Sequence, residues 1–172
     1  MNFPKIEDLL KEGVIGLDTE TYDPFLLDKG PGARMHHFNK NRKEGTLTDD
    51  TGLNKYGQIC GISIATLTDK WYFSIGHAVF DEYDNDDKTE VLDFIRDLLN
   101  SGIDIVGANT LYDLQWLKAY DIECKGMAYD CQLTESLLNE NRKTFKLDAL
   151  AVEYCGVHKN EESMIAKAAS IG

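Results

Sequence analysis

Asp18 and Glu20 stand one residue apart at the end of the short apolar run VIGLDT, and they are the first groups in the chain that could act together chemically. In a strand, residues i and i+2 project to the same side, so the two carboxylates point together. Held close, they repel and raise each other's pKa unless a cation neutralises them, which favours hard, oxygen-ligated Mg²⁺ or Mn²⁺. On its own, such a tripeptide is more often a solvated strand end. A second acid, Asp113, lies in GANTLYDL, where a buried strand runs into a helix and leaves the carboxylate inside the first helical turn. Two readings are open there. An acid near a helix N-terminus is stabilised by the helix dipole, with Asn109 as the cap. An acid among Leu111, Leu114 and Leu117 on the sheet-facing side needs a partner, and a metal ion is such a partner.

Other chemistries find less support. Cys60, Cys124, Cys131 and Cys155 show no CxxC spacing, and the adjacent His36 and His37 have no clustered partners, so a zinc site is disfavoured and reduced, buried thiols are expected. A net charge of −12 argues against a protein that grips a long duplex by its phosphates. Contact with nucleic acid is then local, as at a strand end. Lys40, Arg42 and Lys43 form a short basic run that reads as a solvated loop more readily than as a phosphate contact. No apolar run approaches the roughly 20 residues that a bilayer requires. The first residues show no basic segment leading into an apolar stretch, so no membrane association and a cytoplasmic location are expected.

The elements that must carry these groups follow from periodicity. VIGLDT and QICGISIAT read as strands, and KWYFSI, after the turn at Thr68-Asp69, pairs with the second in an antiparallel hairpin. A long stretch from Asp23 to Tyr56 separates the first two strands, and a loop of that length is usually functional or mobile. DKTEVLDFIRDLLN places Val91, Leu92, Ile95, Leu98 and Leu99 on one helical face, ended by Ser101-Gly102. IDIVGAN is then a buried strand and residues 110–120 a helix. A short strand near 127–131 and the helices LTESLLNEN and KLDALAVEYCG complete the pattern. Hairpin strands followed by alternating helices and strands predict a single α/β domain over 1–172: a mixed central sheet flanked by helices, as in the ribonuclease-H-like architecture.

The segments GLDTETYDP, GANTLYDLQWL and YDCQLTESLLNENRKTFKLDALAVEYCG together resemble, in order and separation, the 3′–5′ proofreading exonuclease domain of phage family A DNA polymerases. The resemblance implies two divalent cations, Mg²⁺ or Mn²⁺, that hydrolyse the 3′-terminal phosphodiester of single-stranded DNA, one activating water and the other stabilising the leaving oxygen. It implies that Asp18 bridges both ions, that Glu20 holds the water-activating one and that Asp113 holds the other. Thr19, Thr21, Tyr22, Asn109 and Tyr112 line the same two motifs and are implied to contact substrate. Tyr22 and Phe25 could stack on a terminal base, and core packing accounts for them equally well. Asp130 and Asp148 read as structural, and Trp71 and Trp116 as core anchors.

The family's third motif, Tyr-x-x-x-Asp or His-x-x-x-x-Asp, is not found after Asp113. The literal match Tyr83 to Asp87 precedes the second motif, and His158 has Ser163 five positions on. A fragment that stops before this motif is therefore expected. It would have impaired activity and a tendency to self-associate through exposed apolar surface, and a polymerase domain would be its partner if the protein continues. The competing expectations are a non-catalytic nucleic-acid-binding or scaffold fragment and an RNA-trimming exonuclease of the same superfamily.

Overall fold

The computed structural model describes residues 3–24, 26–29, 57–77 and 85–157. The basic run at 40–43, Phe25 and Tyr83 lie outside these residues. The chain divides into two compact units, Met1–Asp130 and Cys131–Gly172.

The first unit is organised around β1 (Val14–Tyr22). Its alternation sends Ile15, Leu17 and Thr19 to a buried face and leaves Val14, Asp18 and Glu20 exposed. β2 (Gln58–Ala65) runs antiparallel to β1 on one side, and β3 (Lys70–Ser74) is antiparallel to β2 beyond it. On the other side β4 (Asp104–Gly107) and β5 (Ala128–Asp130) are parallel additions, which makes a five-stranded mixed sheet of order β3-β2-β1-β4-β5. Register fixes one apolar face: Leu17 faces Ile64, Thr19 faces Ile62, and Ile62 faces Phe73. That face joins the buried residues of α3 (Lys88–Asn100) and α4 (Thr110–Ala119) in one core. The mixed α/β sheet with flanking helices expected from the sequence is what forms.

Helix α3 starts as its sequence dictates. Asp87 is the N-cap, accepting from Thr89 N–H at 2.9 Å and Glu90 N–H at 3.0 Å, and the predicted apolar stripe is the buried one. Helix α4 departs from expectation. The spacing of Leu111, Leu114 and Leu117 predicts the buried stripe, yet Leu111 is 63% exposed and the buried line runs through Asp113, Trp116 and Leu117. Residues i, i+3 and i+4 share a helix face, and burying Trp116 removes more apolar surface from water than burying Leu111. Periodicity does not announce α1 (Ile6–Glu12), whose one buried residue is Leu9, nor the single-turn α2 (Leu26–Lys29).

In the second unit α5 (Cys131–Leu138) begins two residues earlier than its apolar pattern suggests, and α6 (Leu147–Cys155) follows. The two are tied by Glu135, a carboxylate only 4% exposed. Arg142 Nε donates to its Oε1 at 2.7 Å and the Tyr154 hydroxyl donates to its Oε2 at 2.8 Å, so both buried oxygens are satisfied. Asp148 sits in the first turn of α6, where the helix dipole favours an acid, in keeping with a structural role. All four thiols are free. Cys60 is buried, Cys124 and Cys131 are half-buried, and Cys155 is exposed, contrary to the expectation of burial for that residue.

Candidate active site

β1 and β4 run parallel, but their ladder covers only Val14–Gly16 of β1. β4 stops at Gly107, the chain turns through Ala108 and Asn109 into α4, and β1 continues to Tyr22. The strand that follows β1 lies toward one edge of the sheet and the strand that follows β4 toward the other, and the crevice outside the carboxyl ends of strands at such a reversal is where open α/β sheets bind ligands. The close approach depends on Gly107, because a Cβ there would lie 2.9 Å from the Leu17 carbonyl oxygen. Asp113, at the start of α4, and Asp18 and Glu20, toward the end of β1, are carried by the elements that border this crevice.

Beyond Gly16 the β4 side of β1 has lost its ladder partner, and a buried backbone N–H cannot stay unpaired cheaply. Asp113, 2% exposed in the first turn of α4, fills that role. Its Oδ1 accepts from Thr19 N–H at 2.9 Å and from the Thr19 hydroxyl at 2.6 Å. Burial pushes the Asp113 carboxyl above the ordinary range, the two Thr19 hydrogen bonds pull it back in part, and the negative charge of Asp130 adds to the rise. The acid on the sheet-facing side does have a partner, and that partner is the residue between Asp18 and Glu20.

Asn109 does not cap α4. It adopts a left-handed conformation, φ 59°, and its side chain makes no capping bond. Asp130 on β5 supplies the function, its Oδ2 accepting from Thr110 N–H at 3.0 Å, while the Thr110 hydroxyl donates to the Tyr129 carbonyl at 2.9 Å. Replacing Asp130 with alanine should therefore cost about 1 kcal/mol of unfolding free energy, as for a lost N-cap. Asparagine, which retains an acceptor oxygen, should restore most of it and keep whatever activity the chain has. Denaturant melts of the two variants check this.

Asp18 and Glu20 project from the opposite face to Thr19, and both are exposed. A β-bulge follows at once: Glu20 faces Gly61 but Thr21 faces Ile59, leaving Cys60 as the extra residue. The Thr21 and Tyr112 hydroxyls are 2.5 Å apart and join the end of β1 to α4, while Tyr22 is half-buried. Of the residues assigned to substrate contact, Thr19 is thus engaged with Asp113, Thr21 with Tyr112, and Asn109 is exposed at the turn.

All three donors are hard carboxylates, which suits Mg²⁺ or Mn²⁺. Among the described residues no group of three His, Cys, Asp or Glu side chains stands close enough to hold one ion together. Asp18 and Glu20 share the exposed face of β1, and Asp113 is bonded to Thr19, the residue between them.

Residues 46–170 match the sequence model of the 3′–5′ exonuclease family, a span that includes Asp113 and Asp130. The chain belongs to that family. Exonucleases of this family use divalent metal ions. The matched span begins after Asp18 and Glu20, so the acid pair on β1 is an observation separate from the match. Among solved structures, one described as the apo form of the nuclease superposes with a TM-score of 0.54 at 12% identity, covering 92% of this chain and 59% of that one. Brucella melitensis NrnC gives a TM-score of 0.47 at 13% identity, covering 86% of this chain and 54% of its own. This chain thus spans little more than half the length of these solved structures, and at such identities the likeness is one of fold, the ribonuclease-H-like α/β sheet. No curated protein matches the sequence. No helix of the described residues is long and apolar enough to cross a membrane.

Proposed function

We propose that this 3′–5′ exonuclease chain is the proofreading region of a phage family A DNA polymerase, removing nucleotides from the 3′ end of single-stranded DNA. The observation that carries the reading is the Asp113 carboxylate, buried at the carboxyl ends of β1 and β4 and fastened to the residue between Asp18 and Glu20. A purely structural cap for Thr19 needs no charge, and a buried carboxylate with the charge of Asp130 near it is costly.

Asp18 and Glu20 would hold divalent cations, with Asp113 bonded to the residue between them, and a pair of such ions would polarise the phosphate and activate water for in-line displacement. The chain's own residues set the frame. Asp113 fixes the β1 backbone at Thr19, the Thr21–Tyr112 contact ties that strand end to α4, and the bulge after Glu20 re-aims the strand beyond it. With a net charge of −12, attraction for a long phosphate backbone is weak, which suits an enzyme that takes only a strand end.

The test is digestion of 5′-labelled DNA and RNA oligonucleotides of one sequence, with Mg²⁺ or Mn²⁺ and with chelator. Stepwise shortening from the 3′ end, faster on DNA and abolished by chelator, is the expected result. Shortening of RNA alone would replace proofreading with RNA trimming. A strand bound but never shortened would mark a binding fragment.

A further inference from the structure

Asp18 and Glu20 are not alone on the exposed face of the sheet. Across the ladder, Asp18 faces Ser63 and Ser63 faces Tyr72, which puts the Tyr72 side chain on the same face. Tyr72 is 50% exposed, and its ring does not stand away from the sheet. It lies diagonally across β2, so that a Cβ added at Gly61 would overlap its hydroxyl. Gly61 is the direct partner of Glu20. Opposed residues carry Cβ atoms about 4.5–5.5 Å apart, so the phenol oxygen occupies the place from which a side chain would meet Glu20.

The hydroxyl is held there. His77 Nε2 lies 2.5 Å from it, and the His77 backbone is clamped by Asn85, whose Oδ1 accepts from His77 N–H at 3.2 Å and whose Nδ2 donates to the His77 carbonyl at 3.1 Å. The same Asn85 oxygen accepts from the Ser74 hydroxyl at 2.9 Å, and Gln58 Nε2 donates to the Gly76 carbonyl at 2.8 Å. The phenol is held by one bond to a histidine whose own backbone is fixed by Asn85, so its oxygen is pre-organised for a contact. A phenol, with an ordinary pKa of about 10, is protonated at neutral pH and able to donate.

We propose that Tyr72, backed by His77, is a substrate-contacting residue whose hydroxyl donates a hydrogen bond to a phosphate oxygen of the strand end brought to Asp18 and Glu20. With its proton on Nε2, His77 donates into the phenol oxygen, which leaves the phenol proton for the phosphate. This assignment rests on the nuclease reading above and adds a group from β3 that neither acid motif supplies.

The experiment uses the full chain with 5′-fluorescent single-stranded DNA. It measures kcat and KM in Mg²⁺ or Mn²⁺, binding of the uncleaved strand in Ca²⁺ by anisotropy, and thermal melting. For Tyr72→Phe, a hydrogen bond lost to a charged group lowers kcat by about 10–100-fold, with Ca²⁺-supported binding weakened and the melting temperature unchanged. Gly61→Ala, which keeps the tyrosine but fills the seat of its hydroxyl, should show the same pattern. Wild-type rates and binding in Tyr72→Phe, alongside an active parent, would overturn the assignment and leave the nuclease reading intact. Lost activity accompanied by a lowered melting temperature in both variants would reduce Tyr72 to a structural role. An inactive wild-type chain would overturn both readings.

Discussion

Asp113→Asn should fold at least as stably as the parent at neutral pH and lose nuclease activity by about 10²–10³-fold, the cost of removing one pre-organised electrostatic group from an active site. The two effects separate because the carboxylate does two things. As an acceptor it satisfies the Thr19 N–H and hydroxyl, and asparagine Oδ1 can do the same. As a charge it is buried at a cost, which asparagine does not carry. The pH dependence follows from the direction of the shift. Burial raises the folded-state pKa of Asp113 above its unfolded value of about 3.9. The stability it contributes is therefore fully present below about pH 3.9 and is lost as pH rises through the folded value. The margin of Asp113→Asn over wild type should accordingly be smallest near pH 4 and widen toward pH 7 in chelator. Asp113→Ala should instead lose about 1–3 kcal/mol, because it leaves a buried donor without a partner. Urea melts across this pH range, paired with oligonucleotide digestion, read both quantities. An active Asp113→Asn enzyme, or one that melts like the alanine variant, would show that the carboxylate is there as a cap alone.

Replacing either exposed acid should separate activity from stability more cleanly still. Asp18→Asn and Glu20→Gln are expected to stay within about 0.5 kcal/mol of wild-type stability, as surface substitutions do, and removing one of two like charges is slightly favourable. Activity should fall by about 10²–10³-fold for each. The double variant should fall little further, since residues that act as a unit are not additive. Mn²⁺ titrations of the three proteins supply a second readout, in which each single variant weakens metal binding and the double variant abolishes it at β1. Undiminished digestion by the double variant would place the chemistry elsewhere in the chain.

The sequence alone determined most of the frame and the chemical types. Alternation over VIGLDT and QICGISIAT and the stripe from Val91 to Leu99 placed β1, β2 and α3, because a strand or helix half-buried in one core writes its period into its residues. Asp18, Glu20 and Asp113 stood out because their order and separation matched a known pattern, since acids at strand ends and helix starts are common by themselves. What the tertiary structure decided was every relation across long stretches of chain. Leu111 turned outward because Trp116 took the core, a choice between two faces of one helix that local spacing leaves open. Asp130, not Asn109, caps α4, because pairing of β5 with β4 delivers its carboxylate from 20 residues away. Asp113 reaches Thr19 across 94 residues because β4 ends early and leaves a donor on β1 unpaired. Tyr72 and His77 carried no sequence signal, since their place beside Glu20 depends on strand register and on the absence of a side chain at Gly61. Periodicity reports which side of an element is buried, whereas register, strand length and crossing geometry decide which groups meet, and those are properties of the packed sheet.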